Sequence, residues 1–167
     1  ARFMLIAAMN PCPCGNFGSK TKTCVCMPNS LFRYQRKISG PIADRIDLWT
    51  EVGPIEHREL GESKSAESSA NIRARVIAAQ AIQTNRYHKL GIRSNSELGI
   101  RNLERFAPLS GDARLLLNAA AKKLDLSPRA YHRVIKLART IADLADEAQI
   151  KEGHLAEALQ YRPKSSL

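Results

Sequence analysis

"LSPRAYHRVIKLARTIADLA", residues 126–145, decides the class of this fold. Ser127 is a strong N-cap residue, and Pro128 suits the first helical position, where its missing N–H costs no bond. Behind them Ala130, Val134, Leu137, Ile141 and Leu144 recur in steps of four and three, the period of one helical face. Arg129, Arg133 and Lys136 fall at i, i+4 and i+7, a basic face opposite that stripe. Such a face meets either solvent or a polyanion such as nucleic acid, and spacing leaves both open.

Working outward, the same period recurs. A helix is expected over residues 69–88, with Ile72, Val76, Ala79 and Gln83 along one stripe and Arg73, Arg75 and Arg86 at its flanks. A shorter one follows "RSNSEL" through Leu98 and Leu103. A third begins near Ser110 and turns Ala113, Leu116, Leu117, Ala120 and Leu124 inward, and "KEGHLAEALQYR" closes the fold before a polar tail. Helices joined by such short connections make a small bundle. No internal repeat or low-complexity tract is present.

The pattern changes upstream of "GESKSAESSA", residues 61–70, which divides the chain into segments 1–62 and 63–167. Before it lie two strand candidates, "RFMLIAAM" and "DLWTEV", the second carrying the single Trp49 beside its strand. The expected fold class is therefore mainly α: a helical bundle preceded by a partial α/β segment of strand remnants and a cysteine-rich insert. The sequence starts at Ala1 and enters an apolar run at once, so it reads as a piece of a larger protein. A strand taken from a parallel sheet loses neighbours on both sides, and residues 1–60 are expected to be partly disordered, swapped onto another copy, or folded back as an irregular arm.

The balance of 26 Lys and Arg against 16 Asp and Glu leaves +10 over 167 residues. That excess favours polyanionic partners and says nothing about fold. No run approaches the roughly 18 consecutive apolar residues of a membrane span, and no secretory leader is visible. A cytoplasmic location with no membrane partner is expected.

All four cysteines fall in residues 12–26, as Cys12-Pro-Cys14, nine residues, then Cys24-Val-Cys26. A reducing compartment disfavours disulfides, while four thiolates can enclose a tetrahedral zinc ion and close a loop too short for a core of its own. Such a zinc would be structural, because four protein thiolates leave no position for a substrate. Free thiols and redox chemistry remain alternatives, since the familiar zinc knuckles use two or more spacer residues within each pair. Within the same stretch "GNFGSKT", residues 15–21, imitates a phosphate-binding loop, but Ser19 stands between the last glycine and the lysine, which excludes it.

Asn10 ends the first apolar run and either starts a turn before Pro11 or orients a water from the tip of a strand. In "SGPIADRIDL", residues 39–48, Ser39, Gly40 and Pro41 announce a turn, after which Ile42, Ile46 and Leu48 alternate with Asp44, Arg45 and Asp47. An arginine between aspartates is either an exposed ion pair or a guanidinium presented to a phosphate. His57, His88, His132 and His154 are scattered, with no metal or triad spacing.

Together "LIAAMNPCPCG", the second cysteine pair followed by "RYQRKISGPIADRIDL", "GESKSAESSANIRARVIAAQAIQ", and the closing "LSPRAYHRVIKLARTIADLA" with "HLAEALQYR" resemble the C-terminal half of the magnesium-chelatase-like AAA+ ATPases, competence-protein branch. The resemblance implies a helical lid domain over 63–167 and, in 1–62, the end of the ATPase core. It implies Asn10 as sensor 1, Arg45 as the arginine finger given to a neighbouring subunit, and Arg129 as sensor 2 reaching from the lid. The parent would bind ATP and Mg²⁺, assemble as a homo-oligomeric, hexameric ring, and remodel DNA in a helicase-like or branch-migrating reaction. Neither a Gly-Lys-Ser/Thr phosphate loop nor a Walker B strand occurs in these residues, so the chain alone is not expected to hydrolyse ATP. Two other readings stand beside this one. The parent could be a magnesium-chelatase subunit that drives metal insertion into a porphyrin, or the chain could be a non-enzymatic, zinc-clipped module binding nucleic acid through Arg133 and Lys136.

Overall fold

The computed structural model describes residues 3–19, 21–38, 40–43, 45–53 and 67–163. Their helices are α1 (Pro28–Gln35), α2 (Gly40–Ala43), α3 (Ser69–Tyr87), α4 (Ile100–Phe106), α5 (Gly111–Lys123), α6 (Pro128–Leu144) and α7 (Glu152–Gln160), with a 3₁₀ turn at Asn95–Glu97. Mainly helical architecture is thus confirmed. Among the described residues there is no strand ladder, and the one β-pairing is an isolated parallel bridge between Leu109 and Ile150. No described helix is long and apolar enough to cross a membrane.

The helix starts follow the capping residues. The hydroxyls of Ser68, Ser110 and Ser127 accept from the N–H groups of Asn71, Ala113 and Ala130 at 3.3, 3.2 and 3.2 Å. Each satisfies one of the four N–H groups a helix leaves unpaired. Ser127→Ala is expected to cost about 1 kcal/mol of stability, read as a lower urea midpoint at unchanged slope.

Two ends are less ordinary. Asp125 and Asp146 stand just past α5 and α6 in the left-handed region, at φ 47° and 55°. Glu147 N–H then reaches back to Ala142 O at 2.8 Å, Asp146 N–H to Asp143 O at 3.2 Å, and Leu126 N–H to Ala121 O at 3.0 Å. These are the bonds of a helix-terminating αL turn, built here on aspartate, which tolerates that region better than most side chains.

Helix α6 is the centre. It packs against α7, α3, α4 and the 3₁₀ turn, while α5 packs on α7. Because neighbours surround it, Ala130, Val134, Ile135, Ala138, Arg139, Ala142 and Asp143 are all buried, more of its circumference than the expected stripe. Two stripe members are corrected: Leu144 and Leu124 lie exposed at the last turn and just past the end of their helices, where the core has stopped. Around α6 the core gathers Tyr87, Leu98, Leu103, Leu117, Ile150 and Leu155. Each fully buried side chain of this size contributes about 1.5–3 kcal/mol. Tyr87 and Phe106 meet edge to face at 5.6 Å.

A charged knot sits inside this apolar shell. Asp143 accepts from Arg139 Nε at 3.1 Å, Arg86 Nη1 at 2.9 Å and Asn95 Nδ2 at 2.8 Å. Arg139, with no exposed surface, also donates to Ala148 O at 2.7 Å and to Glu147 O. Asn95 takes the Tyr87 hydroxyl at 2.6 Å and gives Nδ2 to Thr140 Oγ1 at 2.9 Å and its backbone N–H to Gln83 at 3.0 Å. Hydrogen bonding to Asp143 raises the Arg86 pKa further, whereas burial lowers that of Arg139, an effect Asp143 opposes. The knot joins α3, the 3₁₀ turn, α6 and the loop after it.

The segment before residue 54 is differently made. Neither strand candidate joins a β-ladder among the described residues, and Phe3, Met4, Leu5 and Ile6 are exposed. A strand pattern needs a ladder partner, and the described residues hold none. Helix α1 was not foreseen, although Pro28 at its first position was the available signal. It buries no residue. The alternation expected through Ile42 and Ile46 is replaced by α2 and a turn, with Arg45 N–H on Ile42 O at 2.9 Å. This segment meets the bundle at Asp47, 3.4 Å from Arg133, and at Trp49, whose backbone N–H donates to Tyr161 O at 2.9 Å. Ser39, Asp44, His57 and most of the dividing stretch (61–66) lie outside the described residues.

Candidate functional site

The two cysteine pairs, distant in sequence, are brought to one point. Their four sulfurs all lie within 4.8 Å of one another. Cys12 Sγ stands 3.4 Å from Cys14 Sγ and 3.8 Å from Cys24 Sγ, and Cys14 and Cys24 are 3.6 Å apart. The local backbone explains how. Gly15, at φ 78°, lets the chain reverse, its N–H bonded to Cys12 O at 3.0 Å, and this turn aims the Phe17 N–H at Cys12 Sγ, 3.3 Å away. Cys12 is buried and the other three are partly so.

The cluster divides its protons unevenly. Hydrogen bonds from the backbone of Asn16 and Val25, then from the Cys12 thiol, bring Cys14 down to about 6. At Cys26 the Cys14 backbone pulls downward, but lost solvation and the neighbouring sulfurs outweigh it and push the thiol up to about 12. Four thiols this close cannot all ionise without a cation among them.

Asn10 precedes the cluster and is exposed. Its backbone carbonyl accepts the Tyr34 hydroxyl at 3.0 Å, and its side-chain Nδ2 lies 4.0 Å from where a Cβ on Gly15 would be. Asn10 thus lies beside the cysteine turn and is tied by its carbonyl to α1. The Tyr34 tie was not legible in the sequence, because nothing in the spacing of residues 10 and 34 signals it.

The three basic residues of α6 differ in what they do. Arg129, in the first turn, is exposed, and its side chain forms no hydrogen bond or ion pair with any described residue. Arg133 is mostly covered and faces Asp47 at 3.4 Å. Lys136 donates to Ser96 O at 3.0 Å, and burial lowers its pKa. The face read from spacing is thus divided, with one residue presented outward and two committed to the fold. Arg45 follows α2 on a separate element from both Asn10 and Arg129. Among the histidines, His88 Nδ1 lies 2.7 Å from Asn85 O and His154 Nδ1 accepts the Lys151 N–H at 3.2 Å, both local helix-end contacts.

Residues 66–162 match the family model described as magnesium chelatase, subunit ChlI C-terminal, and residues 1–60 match that described as magnesium chelatase, subunit ChlI. Among curated relatives, competence protein ComM of Haemophilus influenzae is 42% identical over 97% of this chain, which covers 31% of that protein. The uncharacterized protein YifB of Salmonella typhimurium is 40% identical over 97% of the chain and 31% of its own length. YifB of Escherichia coli is 37% identical with the same coverage. The chain thus spans about a third of the length of these relatives and corresponds to their C-terminal part. With both family models matched in sequence order, the chain belongs to the magnesium chelatase ChlI family and forms its C-terminal region.

Proposed function

We propose that this chain supplies the sensor, arginine-finger and lid half of an AAA+ ATPase that forms a hexameric ring and uses ATP to remodel DNA. The observation that carries the reading is Arg129. On a helix otherwise buried nearly all round, it alone of three basic residues is held clear of the fold, at the helix N-terminus where phosphate is best received. Asn10 on the cysteine turn and Arg45 behind α2 supply the other two roles, the second across a subunit boundary. ATP and Mg²⁺ would be gripped by a phosphate loop and Walker B residues of the full-length protein, since no Gly-Lys-Ser/Thr occurs in these 167 residues. The +10 balance and the naming of one relative for competence favour DNA as substrate.

In the full-length protein, Arg129→Ala is expected to slow ATP turnover by roughly 10–100-fold, the worth of one charge-assisted hydrogen bond, while moving stability by less than about 0.5 kcal/mol. Phosphate release and a urea melt measure the two. Unchanged turnover removes Arg129 from the site. The family description favours a second reading, a chelatase subunit. Forked DNA should stimulate turnover by the full-length protein, with affinity falling steeply as salt rises; stimulation by a porphyrin instead assigns the chelatase role.

A further inference from the structure

We propose that Cys12, Cys14, Cys24 and Cys26 form a structural zinc site that clips Asn10 to helix α1. Tetrahedral zinc holds thiolate sulfur at about 2.3 Å, which places the sulfurs of one site roughly 3.8 Å apart. The separations of 3.4, 3.6 and 3.8 Å among Cys12, Cys14 and Cys24, with Cys26 Sγ inside 4.8 Å of all three, lie within a few tenths of an ångström to about 1 Å of that figure. They do not fit disulfides, which need sulfurs about 2.05 Å apart and would sort the four into two pairs rather than one cluster.

The surroundings agree with a metal rather than with idle thiols. The Phe17 N–H points at Cys12 Sγ, the kind of donor that orients a ligand and relieves its negative charge. The loop has almost no core: among the described residues from 3 to 27, Cys12 is the one buried side chain. A segment with so little core needs a metal or covalent link to stay folded. Soft sulfur ligands in tetrahedral array select zinc over magnesium or calcium, and a closed set of four leaves no place for substrate.

Cys26 lies two residues before Pro28, the first residue of α1, and Cys12 lies two residues after Asn10. The clip therefore fixes both ends of the loop, and the Tyr34 hydroxyl on Asn10 O at 3.0 Å completes the ring from Asn10 through the metal to α1 and back. Zinc sets where Asn10 stands, whatever reaction Asn10 serves.

The test is metal analysis of the 167-residue chain, and in parallel of the full-length protein, purified under reducing, chelator-free conditions. One zinc per chain is expected, released in step with titration of four thiols by a mercurial. Cys12→Ser/Cys24→Ser should hold no zinc, and Cys26→His should keep it where Cys26→Ala does not. Far-UV circular dichroism should find the bundle's helices intact in every variant. Chelation should speed amide exchange in residues 12–35 and leave α6 unchanged. Substoichiometric zinc, stoichiometric iron, a mass showing two disulfides, or zinc retained by the double serine variant overturns the proposal.

Discussion

Arg45→Ala in the full-length protein is expected to lower kcat for ATP hydrolysis by about a thousandfold or more, with KM for ATP nearly unchanged. A finger arginine meets the transferring phosphoryl group mainly as charge spreads over its oxygens, and removing such a group costs roughly 10³–10⁵ in rate. Its loss should therefore appear in turnover and hardly in nucleotide affinity. The position suits a finger, because α2 ends at Ala43 and the chain turns at once, Arg45 N–H on Ile42 O at 2.9 Å, so the guanidinium leaves from a tight corner. A group acting across a boundary can also be rescued from the other side. Mixing Arg45→Ala subunits with subunits disabled in their phosphate loop should restore part of the activity, because some boundaries then join an intact finger to an intact loop. Full turnover by Arg45→Ala alone, or no recovery on mixing, contradicts the assignment.

The second large effect is on stability. Asp143→Ala should destabilise the bundle by about 3–5 kcal/mol, the cost of leaving buried charge unpaired. Arg139 has no exposed surface and Arg86 is mostly covered, so neither can turn to water when the carboxylate goes. For a domain of this size that corresponds to a fall in melting temperature of roughly 12–40 °C. Asp143→Asn should lie between, since one amide oxygen still accepts, and Asp143→Leu combined with Arg139→Met should recover only part of the loss, because it removes two of the three charges and leaves Arg86 without its carboxylate. Chemical denaturation followed by circular dichroism distinguishes these outcomes. An Asp143→Ala penalty below about 1 kcal/mol would mean the knot is solvated and its bonds are worth no more than surface pairs.

Local signals carried most of the bundle. Ser127 and Pro128 located the start of α6, and the expected helix over 69–88 appears as Ser69–Tyr87. Caps and periodicity act within a few residues, so one sequence suffices to read them. The face a helix buries is a longer-range matter. Ile72 and Val76 share a stripe with Ala79 and Gln83, yet only the second pair is buried, because α6 meets the C-terminal half of α3. The charged knot was illegible for the same reason: Arg86 and Asp143 are 57 residues apart, Arg86 read as a helix-flank charge, and nothing singled out Asp143. The cysteine cluster was legible as four potential ligands, while the turn at Gly15 that gathers them, and the Tyr34 hydroxyl that ties Asn10 to α1, are contacts that no local spacing signals.

The Leu109–Ile150 bridge joins the two connections that lead into α5 and α7, with Ser110 N–H on Ile150 O and Ile150 N–H on Pro108 O, both at 2.9 Å. Laced in this way, the helices on either side cannot slide past one another independently. Because α7 packs on both α6 and α5, a tilt of α6 would carry these two helices together. The 17 residues of α6 make a lever arm of roughly 25 Å, so tilting it by about 10° carries its far end some 4 Å. A small shift at one end of α6 would thereby become a displacement as large as a side chain at the other.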